Sequence, residues 1–439
     1  TIRGKYFGGI AGYAEQSLIC GAVSASGRAE GFTFSEDKKE EYLKGKYVGG
    51  IVGYGNSTLV NNCSTETDGY VLGSEYVGGI VGGLGRNVSE AIRADSVVAV
   101  TTNGSYIIGN RYVGGIAGEN QGGVTLKNCI NNGVAAGYDR YVGGIVGYND
   151  YQATIYDCAS YLSDYDNSIF RMIVDTWNAK GDYAGGIAGY NNGNIILTKD
   201  SEAITVKSVS GIVVGRNYVG GIAGFNDVNG ELDVHYTLIG GRIYAYGDCA
   251  GGGFGFNASE KLLTQELTIK PRSINGRCCV GGCIGANAVE LTSDITMDQF
   301  RADNVLATIS GKAFCGGIIG YQRTYTKADL PGISADGSIR EAVEEMQRRT
   351  AKRLLPGIEA DTNIPQSVKE SANSHTLTLE TADNSSSSLK TETNNIPIQA
   401  GMYAGGIIGY CEKNSKLIIR NCKNSGNISG SPDGDLEGV

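Results

Sequence analysis

Apolar and polar positions along this chain alternate in short runs of Ile, Val, Tyr and Thr, broken by Gly, Asn and Asp. Such runs predict brief β-strands joined by turns, and the long stretches of 3.6 periodicity that a helical repeat needs are missing. One run recurs. Tyr47-Val48-Gly49-Gly50-Ile51-Val52-Gly53-Tyr54 returns as YVGGIVG from Tyr76, YVGGIAGEN from Tyr112, YVGGIVGYN from Tyr141, YAGGIAGYN from Tyr183 and YVGGIAGFN from Tyr218. Looser copies begin at Tyr6, Cys249, Cys279, Phe314 and Tyr403, which makes eleven. The glycines lead each copy: Gly49, Gly50 and Gly53; Gly114, Gly115 and Gly118; Gly143, Gly144 and Gly147; Gly220, Gly221 and Gly224. Successive Gly pairs are 29 to 42 residues apart, except for one interval of 89. A unit near 30 residues is one coil of a β-solenoid, with longer intervals as insertions.

A second feature keeps its own register. After the glycine motif come a polar turn and a strand ending in Cys, as in TLVNNC to Cys63, VTLKNC to Cys129, TIYDC to Cys158, KLIIRNC to Cys422 and a shorter SLIC to Cys20. These five are read as core cysteines, small buried hydrophobes carried as thiols, with a disulfide between the vertical neighbours Cys20/Cys63 or Cys129/Cys158 as the alternative. Stacked coils lie about 4.8 Å apart, so like positions sit above one another. The aromatic residues at the motif edges would form stacks and the isoleucines an aliphatic ladder. Asn120, Asn149, Asn191, Asn226, Asn257 and Asn287 would form an amide ladder. Both parities of YVGGIVGY are apolar, so simple in/out alternation fails. Either the Gly pair is a bulge that switches faces, or the strand is covered on both sides.

These motifs resemble the GLUG-type repeat of bacterial surface proteins, whose core reads roughly (Y/F)-V-G-G-(L/I)-V-G-(Y/x)-N. The resemblance implies an all-β fold, a parallel right-handed β-helix of about eleven coils, within a large secreted or wall-attached protein. It implies a non-enzymatic extracellular role as rigid stalk or adhesin, with a host protein or glycan as partner. Such repeats also occur in the stalks of M26-type immunoglobulin A peptidases, so the non-catalytic region of such an enzyme is an alternative. The chain opens at Thr1 in mid-pattern, which reads as a monomeric segment of a longer protein.

The solenoid is expected over residues 1–321, an insertion over 322–400, and a final, truncated coil over 401–439. The insertion holds four of the six prolines (Pro331, Pro356, Pro365 and Pro397). It also holds a predicted helix near 338–355, opened by a Ser338/Glu341 capping box, with Ile339, Val343, Met346 and Leu354 at helical spacing. That helix either packs on the solenoid flank or forms a partner-binding protrusion. A Ser/Asn-rich stretch from Asn384 is expected to be mobile.

Charge and chemistry narrow the class further. The net charge is −9, which disfavours nucleic acid as a partner. No apolar run reaches the ~18 residues of a membrane span. Two histidines, His235 and His375, stand apart from any HExxH or GxSxG pattern. No catalytic, cofactor or metal residues are therefore assigned. A carbohydrate-active β-helix is the enzymatic alternative, but it needs clustered acids or bases on successive coils. The sequence shows no charged position recurring in register.

Overall fold

The computed structural model describes residues 5–21, 23–24, 28–30, 45–67, 69–85, 97–161, 182–198, 208–235, 238–265, 268–290, 295–297, 301–302, 308–325, 377–379, 392–394, 398–411, 417–419, 422–424 and 427–430. Every regular element among them is a β-strand, and every strand pairing is parallel. The chain is a β-solenoid. One coil shows the plan. Tyr106–Gly114 leads into a corner at Gly115 and Ile116, and Ala117–Asn120 follows in a second sheet. Thr125–Lys127 lies in a third sheet, and Ile130–Asn131 then returns to the first. Each of these strands pairs with its counterpart one coil on: Val134–Gly143, Val146–Asn149, Thr154–Tyr156 and Ala159–Tyr161. The second sheet has eleven strands, one for each motif copy.

The YVGG motif is thus two strands in two sheets, and the corner between them is its second glycine with the following Ile. The face switch comes earlier, at the aromatic residue. Tyr47, Tyr76, Tyr112, Tyr141, Tyr183, Tyr218, Cys249, Cys279, Phe314 and Tyr403 all have φ between 54° and 67°. The ladder skips that residue, running from Glu75–Arg111 directly to Val77–Val113. A left-handed residue inside a strand reverses the alternation, so both sides of the motif are covered. The valines (Val48, Val77, Val113, Val142) enter one apolar column. Ile51, Ile80, Ile116 and Ile145 enter a second with the third-sheet residues Val60, Leu126 and Ile155. The aromatic residues form a third cluster.

Between these columns the backbones of neighbouring coils touch, and the third motif glycine allows it. A Cβ on Gly147 would lie 2.6 Å from Tyr141 O and Val113 N, and 2.7 Å from Tyr112 C. Side chains are excluded there because the obstacle is main chain, which has nowhere to go.

A second left-handed corner precedes the cysteine column. Asn62, Asn128 and Asp157 occupy it with φ of 51° to 53°. Asn and Asp tolerate this region best among residues with a side chain. Val100 holds the equivalent place at φ 50°, although β-branched residues rarely do. It is 56% exposed, so no core contact depends on it. Val100→Asn should raise stability by about 1 kcal/mol, read as a higher denaturant midpoint at unchanged slope.

Two sequence readings change. Residues 377–379, 392–394 and 398–400, assigned to the insertion, are ladder strands. They pair with 295–297, 301–302 and 309–311 respectively. Cys20 is exposed and not a core residue. Its strand is registered by Leu18 on Leu59 and Ile19 on Val60, which sets Cys20 opposite Asn61, two places short of Cys63. The Leu/Ile ladder fixed the register, and the cysteine followed passively. The predicted helix near 338–355, with Ile339, Val343, Met346 and Leu354, and the segment from Asn384 lie outside the described residues.

Candidate functional site

Ionisable and aromatic side chains come together on the side of the solenoid where the motif aromatics stack. In the first column Tyr47, Tyr76, Tyr112, Tyr141, Tyr183 and Tyr218 lie ring over ring, with centroids 4.5 to 5.2 Å apart. In the second, Tyr148, Tyr190, Phe225 and Phe256 stack at 5.0, 5.4 and 4.7 Å. The columns meet edge to face, as Tyr141 meets Tyr148 at 5.6 Å. Each aromatic pair contributes about 0.5–1.5 kcal/mol beyond its buried area. Ring faces that cover one another are closed to a ligand, so what remains outward is ring edges, hydroxyls and the flanking charges.

The second column is broken in its early coils, where Tyr54, Gly83, Glu119 and Tyr148 are in register. A carboxylate thus occupies an aromatic rung. Gln121 Nε2 donates to Glu119 Oε2 at 2.9 Å, and Tyr54 Oη donates to Gln121 Oε1 at 3.2 Å. Tyr54 reaches that far because Gly85, over which its hydroxyl passes, has no side chain. Burial pushes the Glu119 carboxyl up to about 6, and Asp150 adds to the rise. A folded-state value above the unfolded one, near 4.3, means that ionisation opposes folding. The penalty is absent below about pH 4 and complete above about pH 6.5. Glu119→Gln should therefore stabilise by about 1–2 kcal/mol at pH 7.5 and by nothing at pH 4. Paired melts at the two pH values check this.

The position before the aromatic is a charged column: Lys46, Glu75, Arg111, Arg140 and Asp182 are in register. This corrects the sequence reading that no charged position recurs. The signs are mixed along it, and only Arg111 and Arg140 repeat a residue type. Lys46 Nζ lies 3.0 Å from Glu75, and Arg111 binds the same carboxylate from the next coil. Burial would raise the Glu75 carboxyl, but Arg111 and Lys46 outweigh it and hold it below its ordinary value. Asn217 donates to Asp182 at 2.8 Å, and Arg277 binds Asp248 through two bonds of 2.9 and 2.7 Å.

The amide ladder is continuous. Each Nδ2 donates to the next Oδ1 from Asn120 through Asn149, Asn191, Asn226, Asn257 and Asn287, ending on Gln322 Oε1, at 2.7 to 2.9 Å. All seven side chains are buried. At its start Asn120 Oδ1 has no donor, because the rung before it is Leu84. A shorter ladder runs from Thr65 Oγ1 to Asn103 Oδ1 (2.6 Å) and from Asn103 Nδ2 to Asn131 Oδ1 (2.7 Å).

Cys63, Cys129 and Cys158 are buried thiols. Each donates to main-chain oxygens, as Cys129 does to Val98 O and Lys127 O at 3.4 Å. Burial pushes the Cys158 thiol well above its ordinary value. Cys422 opens the strand Cys422–Asn424, opposite Glu392. His235 ends the strand Glu231–His235, opposite Gln265, and His375 is outside the described residues. Among the described residues no group of three or more His, Cys, Asp or Glu is placed to hold a metal ion. Comparison with protein-family models, with curated proteins and with solved structures gives no match.

Proposed function

We propose that this chain is a non-enzymatic, extracellular repeat domain of a large bacterial cell-surface protein, a GLUG-type β-helix that acts as rigid stalk or adhesin. One observation carries the reading. Most of the recurring polar positions bind their own counterparts one coil along: amide to amide, acid to base, hydroxyl to amide. Groups paired in this way stiffen a rod, and they are not free to bind, polarise or protonate a substrate. Eleven strands at about 4.8 Å per step give roughly 50 Å of stacked height, enough to hold a flanking domain away from a surface. Insertions on such a rod project from it and are the natural place for contact with a host protein or glycan.

The test is to display the chain on beads and measure adhesion to immobilised host matrix proteins and a glycan array. The same ligands are then assayed for turnover. Retention without chemical change supports an adhesin. Absence of retention, with a folded rod by solution scattering, supports a stalk. Cleavage of any polysaccharide or peptide would overturn both.

A further inference from the structure

Nine of the eleven motif copies open with Tyr or Phe, and the two exceptions are consecutive: Cys249 and Cys279. They interrupt the first aromatic column between Tyr218 and Phe314. Their strands, Asp248–Gly251 and Cys278–Gly281, are paired, with Asp248 opposite Cys278 and Ala250 opposite Val280. The two cysteines therefore share the skipped, left-handed place, at φ 65° and 57°. Both side chains belong to one buried cluster and are only 2% and 4% exposed. Neighbouring parallel strands lie about 4.8 Å apart, inside the Cα separation of about 4.4–6.8 Å that a disulfide spans. A third thiol competes, since Cys278 Sγ is 3.4 Å from Cys279 Sγ. Consecutive residues, however, hold their Cα atoms about 3.8 Å apart across a trans peptide, which is short of that range.

We propose that Cys249 and Cys279 form a disulfide between successive coils, a covalent rung where the ring stack is missing. A small-molecule disulfide is the oxidant. The Cys279 thiolate attacks it and releases one thiol, leaving a mixed disulfide. The Cys249 thiolate then attacks the Cys279 sulfur and expels the second thiol. Two protein thiols are oxidised and one external disulfide is reduced to two thiols. Because both sulfurs are enclosed in the finished solenoid, the bond forms while these coils close. Cys278, touching Cys279 from the same strand, stays a thiol. The proposal is independent of the stalk or adhesin reading.

The chain is refolded from denaturant in a glutathione redox buffer and, in parallel, in excess reductant. Peptide mapping without reduction should find Cys249 joined to Cys279 in the first sample only. Closing this loop should raise the melting temperature by about 4 °C. The rise should vanish in Cys249→Ala and persist in Cys278→Ala. Mapping that leaves Cys249 and Cys279 as thiols, or that joins Cys279 to Cys278, overturns the proposal, and so does an equal melting temperature in both samples. The wild-type map decides even if a variant fails to fold.

Discussion

Asn191→Ala is expected to destabilise the solenoid by about 3–5 kcal/mol. Two ladder bonds of 2.8 Å disappear, one from Asn149 Nδ2 and one to Asn226 Oδ1. Both stranded groups are fully buried, so each also bears the cost of a buried polar atom without its partner, about 1–3 kcal/mol. Asn149 Nδ2 keeps only long contacts to main-chain oxygens, at 3.4 and 3.5 Å. Asn120→Ala is the control. That residue makes one ladder bond and its own Oδ1 is already unpaired, so its loss should cost about 1–2 kcal/mol. Equal costs in denaturant titration would mean that the amides pack without forming a directional chain.

Asn191→Asp adds a pH signature. A carboxylate there still accepts from Asn149 but faces Asn226 Oδ1 with no proton to donate. The protonated acid donates to it. The folded-state value of this carboxyl would thus lie above the unfolded one, near 3.9. The variant should approach wild-type stability at or below pH 4 and fall away as pH rises.

Gly147→Ala is expected to cost more than about 3 kcal/mol and to leave much of the protein insoluble. The added methyl would lie 2.6 to 2.7 Å from three main-chain atoms of Tyr141, Val113 and Tyr112. No rotamer relieves a clash with backbone, and moving a strand here breaks the ladder on both sides. Gly21→Asn should be harmless by comparison. Gly21 has φ 65° with nothing within 4 Å of a Cβ, and it matches the corner that Asn62 and Asn128 occupy. Soluble yield and melting temperature of the two variants, side by side, separate close approach from mere conformational freedom.

The amide ladder was legible because Asn recurs at one place in consecutive motifs, and identical residues one coil apart bond to each other. The coil count was legible for the same reason. The charged column was not, because its first rungs are complementary rather than identical: Lys46, Glu75 and Arg111 make an ion-paired series of mixed residue type. Cys20 misled because a residue type was matched where register decides, and register there follows Leu18 and Ile19. Glu119 has no counterpart in other copies, so its aromatic surroundings appear only when Gly83 and Tyr148 are seen on either side of it.

Sequence by itself determined the solenoid, its period and its aromatic, aliphatic and amide columns, because in a parallel stack a repeat of about 30 residues already sets like residue above like. The tertiary structure decided the course of the chain within each coil. It put the reversal of faces at a left-handed aromatic residue, and the corner between two sheets at the second glycine and the following Ile. Those outcomes depend on backbone torsions and on main chain meeting main chain, which leave no periodic trace in side-chain identity.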